Sequence, residues 1–341
     1  MGALRLYRHL SVGVGLVLVA SVALLSGCQG RTAAPSAVQD VELERRATDL
    51  LLRAAQNSDP VVASNAIEAL VKVAPDEGRP HIRAALRSEY PLVRFASLVA
   101  LGTLRDKQSG SALKQYLSDP NQMVRLGAAY ALYRTKTTGA ARLLVNTLKD
   151  NPDEGARAEA AHLIGLLGEP QAAKHLRSAL RIKANEDSDR VQVEVHAALG
   201  RLGDDRAVWW LYDRAKGVDP LVRLMALQAL ADLRVDVAAE VFEYHMSREE
   251  TYLVHRLVAA RGLARLGSPA GYQLALKSTE FVGKNPDDPE ETMRVRSNAA
   301  LVLGEIRDPR ALGVLKRMAE TETDPRVQVA ASYAICRILA R

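Results

Sequence analysis

A short pattern recurs nine times along this chain, anchored at Ala63, Arg94, Arg125, Arg157, Gln192, Arg223, Arg256, Arg296 and Gln328. Successive anchors lie 31 to 40 residues apart, which is the length of one supersecondary unit. Three positions after each anchor stands a mostly small residue (Ala66, Ser97, Ala128 and so on to Ala331), and seven positions after it stands Leu or Ile (Leu70, Leu101, Leu132 and so on to Ile335). At about 100° per residue both columns fall on one stripe of one helix. A unit this short can bury such a stripe only against its neighbours, so the pattern predicts a stacked array.

The punctuation between repeats agrees. Asp59-Pro60, Asp119-Pro120, Asn151-Pro152, Asp219-Pro220 and Asp324-Pro325 each set a capping side chain before a proline. The side-chain oxygen can take an orphan backbone N–H, and proline has none to lose at the first helical position. Gly168, Gly203 and Gly267 stand eleven residues after their anchors, where a left-handed residue would end the helix. Aromatic residues make up 4% of the chain against 48% apolar residues in all, so the interior is built from Ala, Leu and Val. That composition suits helices packed closely on helices.

The run Asp-Pro-x-Val-Arg followed by alanines and Leu-Gly resembles the short bacterial HEAT repeat, including those named after phycobilisome lyases. Its clearest copies are Asp119-Pro120 with Val124-Arg125, Asp219-Pro220 with Val222-Arg223, and Val295-Arg296 with Leu303-Gly304. The resemblance extends over about residues 41 to 340 and implies an all-α fold, a right-handed α-solenoid of about nine HEAT-like helix pairs occupying 41–341. It also implies that Arg94, Arg125, Arg157, Arg223, Arg256 and Arg296 pair with aspartates between repeats as a structural ladder. Ala63, Gln192 and Gln328 depart from that pattern; Gln328 belongs to the last repeat, where a neighbour is expected to be missing. About activity the resemblance says little.

In such arrays the second helices line the concave side. The first and fifth columns after the anchors, which lie on the side of each helix away from the apolar stripe, are then expected to form its floor. Phe95, Val99, Leu126 and Tyr130 would make an apolar patch there, continued by His162, Leu224, Gln228, Leu257 and Arg261, unless curvature or the first helices bury them. An exposed patch of aromatic and aliphatic anchors is suited to a protein or peptide partner.

Other features carry less. The enlarged loops 183–189 and 281–292 bring Glu186, Asp187, Asp189, Asp287, Asp288, Glu290 and Glu291 to one edge. That edge lacks the spacing of a calcium loop and is read as solvated charge. His162, His175 and His196 fall on different helix faces, and Trp209, Trp210 and Tyr212 read as packing. No His-Glu-x-x-His, phosphate loop or Gly-x-Ser-x-Gly occurs. The expectation is therefore a chain that is not an enzyme, with no cofactor, no metal and no small-molecule substrate. A rival expectation, taken from the lyase-type repeats, is a bilin lyase-like or other chromophore-handling protein.

The N-terminus is of another kind. Arg5 and Arg8 precede an uncharged run from Leu10 to Leu25, and Leu25-Ser26-Gly27-Cys28 resembles a bacterial lipobox. The implied organisation is a leader over 1–27, a lipidated Cys28 with a flexible tether over 28–40, and the solenoid beyond. Several acyl chains give stable anchoring, and Gln29 in place of Asp favours the outer membrane, facing the periplasm. Without Arg5 and Arg8, 44 basic residues face 40 acidic ones, too even a balance for a nucleic-acid partner. Cys336, the other of the two cysteines, reads as a small half-buried hydrophobe. Taken together, the sequence leads to the expectation of a lipid-anchored interaction scaffold of the bacterial cell envelope.

Overall fold

The structure, a computed structural model, describes residues 35–136, 140–284 and 289–340. The leader and Cys28 lie outside the described residues, as do Asp287 and Asp288. In chain order the helices are α1 (Pro35–Ala54), α2 (Pro60–Val73), α3 (Pro75–Ala85), α4 (Pro91–Thr103), α5 (Gln122–Arg134), α6 (Ala141–Asp150), α7 (Glu154–Leu167), α8 (Ala173–Ala179), α9 (Lys183–Glu186), α10 (Asp189–Arg201), α11 (Asp205–Ala215), α12 (Pro220–Leu233), α13 (Ala239–Ser247), α14 (Leu253–Arg265), α15 (Tyr272–Ser278), α16 (Pro289–Ile306), α17 (Leu312–Thr321) and α18 (Pro325–Leu339). Helix α1 already begins at Pro35, so residues 35–40, expected in the tether, are its first turns.

The anchors fall on α2, α4, α5, α7, α10, α12, α14, α16 and α18, and these nine form an inner layer in which each helix packs on the next. The remaining helices, with 3-10 turns at Lys107–Ser109 and Ala112–Ser118 standing in for one of them, form the outer layer. The α-solenoid expected from the repeats is thus present. The ends hold the surprise: α18 packs on both α1 and α2, so the inner layer closes into a ring. One core cluster accordingly contains Leu51, Ile67 and Leu70 from the start of the chain together with Ala331, Ile335 and Cys336 from its end. Gln328 therefore has a neighbouring repeat on each side, contrary to the missing neighbour expected of a terminal repeat.

Closure places a packed helix on both flanks of every inner helix. The columns three and seven after the anchors are buried, as expected, from Ala66 and Leu70 to Ala331 and Ile335. Flanking helices come close enough that a Cβ on Gly165 would lie 2.8 Å from Ala198 Cα, and one on Gly304 2.7 Å from Ala334 Cα. Small residues at these crossings are what let the ring tighten.

Capping follows the sequence in part. Asp59, Asp219 and Asp324 accept from N–H groups at the starts of α2, α12 and α18. At α5 and α7 the cap moves two residues on, to Asn121 and Asp153, which frees Asp119 for Arg94. The eleventh position after the anchor is left-handed in seven repeats. Gly168, Gly203 and Gly267 do this without penalty, whereas Arg105, Lys136, Arg234 and Arg307 adopt φ of 49° to 69° despite carrying a Cβ.

Candidate functional site

The ring encloses a cavity of about 520 Å³, lined by residues from α2, α4, α7, α10, α12 and α14. The side chains reaching it come mainly from the second, fifth and ninth columns after the anchors, which share one face of each helix. They include Glu68 and Lys72, Phe95, Val99 and Thr103, Glu159 and His162, Arg201, Asp232 and Arg265. The lumen stripe is thus centred opposite the buried stripe, and it is charged in most repeats.

That position corrects the expected floor. Phe95, Val99 and His162 line the cavity, and Arg261 stands one turn before Arg265 on the same face of α14. Gln228 is exposed and Leu224 half-buried. Leu126, Tyr130 and Leu257, in contrast, are sealed inside the protein. Leu126 and Leu257 belong to the first column, which the close approach of consecutive inner helices buries. Tyr130 lies beneath Gly102, and its hydroxyl is 3.2 Å from Thr103 Oγ1. The apolar patch of four residues therefore reduces to Phe95 and Val99.

An ion network that sequence reasoning did not identify occupies the ring near the C-terminal ends of the inner helices. Arg265 pairs with Asp232 and donates from Nε to Glu305 Oε1 at 3.1 Å. Arg337 donates to Glu305 Oε2 at 2.9 Å, and Arg261 Nε lies 3.9 Å from the same carboxylate. Glu305 is buried, which disfavours its charge, yet Arg265, Arg337 and Arg261 together hold its carboxyl below the ordinary range. Lys72 reaches over the Tyr333 ring at 6.0 Å, and burial pulls its ammonium down. The only signal in the sequence was the ninth column itself, in which Lys72, Arg134, Arg201, Arg265 and Arg337 alternate with Asp232 and Glu305.

On the α7–α10 side His162 Nδ1 meets Glu194 Oε2 at 3.3 Å. Burial disfavours the imidazolium, but the Glu194 bond and the Glu159 charge outweigh it and raise the histidine above its usual value. Glu159 is itself raised by burial. Among the described residues no group of three or more His, Cys, Asp or Glu is arranged to hold a metal ion. His196 is elsewhere, stacked on Trp210 with centroids 3.9 Å apart.

The anchor arginines lie between the inner and outer layers and are occupied by the backbone. Arg94 makes a two-pronged contact with Asp119, and Arg296 pairs with Glu322, in each case a carboxylate just before the following inner helix. The other four find no such aspartate. Arg125, Arg157 and Arg223 turn back to the carbonyl six residues earlier (Asp119, Asn151 and Gly217), and Arg256 reaches Met246. Gln328 does the same to Glu322. The shared task is to gather loop carbonyls that the helix start leaves unpaired.

A family model described as HEAT repeats matches residues 47–132, 110–187 and 248–336. No curated protein matches the sequence. Solved structures similar in fold include the phycocyanin lyase CpcE–CpcF complex of Nostoc sp. PCC7120, at 20% identity over 83% of this chain and 99% of that one with a TM-score of 0.44. Human deoxyhypusine hydroxylase, in complex with glycerol, matches at 20% identity over 79% of this chain and 98% of that one with a TM-score of 0.37. Both are described as enzymes. The expectation that this chain is not an enzyme is corrected accordingly: these neighbours carry the names of enzymes, and the lack of a familiar motif is no ground for excluding catalysis.

Proposed function

The chain belongs to the HEAT-repeat family, and from that membership we propose that it is a binding scaffold of the bacterial cell envelope, held to the membrane by lipid on Cys28 and engaging a protein or peptide at the lumen of its ring. The observation that carries this reading is the contrast between columns. The buried third and seventh positions repeat Ala and Leu with little change, while the lumen positions differ from repeat to repeat (Glu68, Val99 and His162 in one column, Lys72, Thr103, Arg201 and Asp232 in another). A surface that varies within a uniform frame is built for recognition by spaced side chains. Among the described residues no helix is long and apolar enough to cross a membrane, and the lipid on Cys28 supplies the attachment in this reading.

Photo-crosslinking in intact cells from a benzoylphenylalanine placed at Val99 tests the recognition surface. A discrete protein adduct that is absent when the probe replaces outward-facing Trp209 is expected, and equal labelling from both positions would sink the lumen as the binding surface. Cys28→Ser tests the anchor: the variant should leave the membrane fraction after a high-salt wash. A purified protein absorbing visible light would replace this reading with chromophore handling.

A further inference from the structure

Five cations converge where the inner helices end: Lys72, Arg201, Arg261, Arg265 and Arg337. Asp232 lies within electrostatic reach of the first four, Glu305 serves Arg261, Arg265 and Arg337, and Glu68 faces Lys72. With Arg234 and Glu159, which line the same cavity, six positive charges face four negative ones, and two are left uncompensated. Four of the five stand in the last turns of their helices, where the negative end of the helix dipole favours a cation. The dipole accounts for their sign but supplies no acceptor. Arg201 Nη1, Arg261 Nε and Arg337 Nε are closed off from solvent without a hydrogen-bond partner, a state that folded proteins seldom leave uncorrected. Arg261 is one turn further in, beyond the reach of the dipole, and burial and then the Arg265 charge press against its protonation.

We propose that this end of the lumen binds a small dianion, a phosphate group or a dicarboxylate, between Arg201 of α10 and Arg261 of α14 with Lys72 reaching in from α2. Two negative charges match the local imbalance, and planar guanidinium forks fit either oxyanion. The cavity of about 520 Å³, lined by Lys72, Arg201, Asp232 and Arg265, admits a ligand of that size, and Arg261 lies at its edge, close enough to act on the same Asp232. Phe95 and Val99 on α4 offer an apolar wall for any carbon skeleton the dianion carries. The site goes beyond the scaffold reading and stands apart from it, because the probe is a free ion and not a partner protein.

Thermal unfolding and calorimetric titration of the full chain in detergent test the site, with inorganic phosphate and succinate as separate arms and sodium chloride at matched ionic strength as reference. A saturable rise in the unfolding midpoint of about 5 °C at a hundredfold excess over Kd is expected for at least one dianion. Which arm responds identifies the source. Arg201→Gln and Arg261→Gln, made separately, should each weaken that binding by about tenfold, because each removes a charge-assisted donor. Their midpoints without ligand should equal or exceed that of the parent, since each sheds an uncompensated charge. Arg310→Gln, on the outer surface beside Asp308, should bind as the parent does. The proposal is overturned if neither dianion exceeds chloride, or if both lumen variants bind as tightly as the unchanged chain.

Discussion

Thr48 and Cys336 are 288 positions apart in sequence, yet Thr48 Oγ1 lies 3.6 Å from Cys336 Sγ. The contact joins α1 to α18 and is the seam at which the solenoid becomes a ring. Burial pushes the Cys336 thiol up to about 11, so it stays protonated and slow to react near neutrality.

Thr48→Cys in a Cys28→Ser background should therefore form an intramolecular disulfide with Cys336 under a strong oxidant at raised pH. Non-reducing electrophoresis should show a faster-migrating monomer, and oxidation should add up to about 5 kcal/mol of stability by closing so long a loop. A chain that crosslinks only between molecules would show that the ends do not meet.

Leu126→Ala and Leu132→Ala should both cost about 2–5 kcal/mol, because both side chains are at most 1% exposed. Val99→Ala, half-buried at the lumen, should cost clearly less. Urea midpoints compare the three; if Leu126→Ala is as mild as Val99→Ala, the first column is not pressed between inner helices.

His245 and His255 each donate Nε2–H to a backbone carbonyl, of Ala215 at 2.8 Å and Pro220 at 2.7 Å, leaving a buried Nδ1 with no partner. Burial is the first cause that lowers both below the ordinary histidine value, and the Arg223 charge adds to it, with further repulsion of His245 from His255 and Arg248. The unfolded chain then binds more protons than the folded one below about pH 6.5, so stability falls as pH drops from there toward the folded values. His162, held above its ordinary value, acts in the opposite sense. The informative quantity is the difference between parent and the His245→Gln, His255→Gln double variant: the double variant should lose less stability between about pH 7 and about pH 5. Parallel stability curves would show that these rings do not titrate on unfolding.

Arg307 sits at a left-handed position with φ of 58° and is exposed. Relief of that conformation is worth about 1–2 kcal/mol, against about 0.5–1 kcal/mol for the added freedom of the unfolded chain. Arg307→Gly should thus raise stability by about 0.5–1 kcal/mol, whereas Gly168→Ala, at the equivalent position, should lower it by about 1 kcal/mol. Calorimetric midpoints moving the other way would mean the seven positions are not equivalent.

Sequence alone established what repeats at short range. The Ala and Leu columns, the aspartate caps at residues 59, 219 and 324 and the three left-handed glycines were all legible, because each depends on contacts within one unit or with the next. The left-handed Arg105, Lys136, Arg234 and Arg307 were not, since nothing in those side chains favours that geometry and only the packed turn around them imposes it. Closure was also hidden: it depends on a small rotation per repeat added over nine repeats, and no local pattern encodes the sum. Closure decides what meets at the seam: it brings Lys72 of α2 over the Tyr333 ring of α18, two side chains from opposite ends of the chain. The burial of Leu126 and Leu257, and the network of Arg261, Arg265, Glu305 and Arg337 across the consecutive helices α14, α16 and α18, depend instead on how closely neighbouring inner helices approach, a distance set by side-chain packing between repeats and not by the pattern within one.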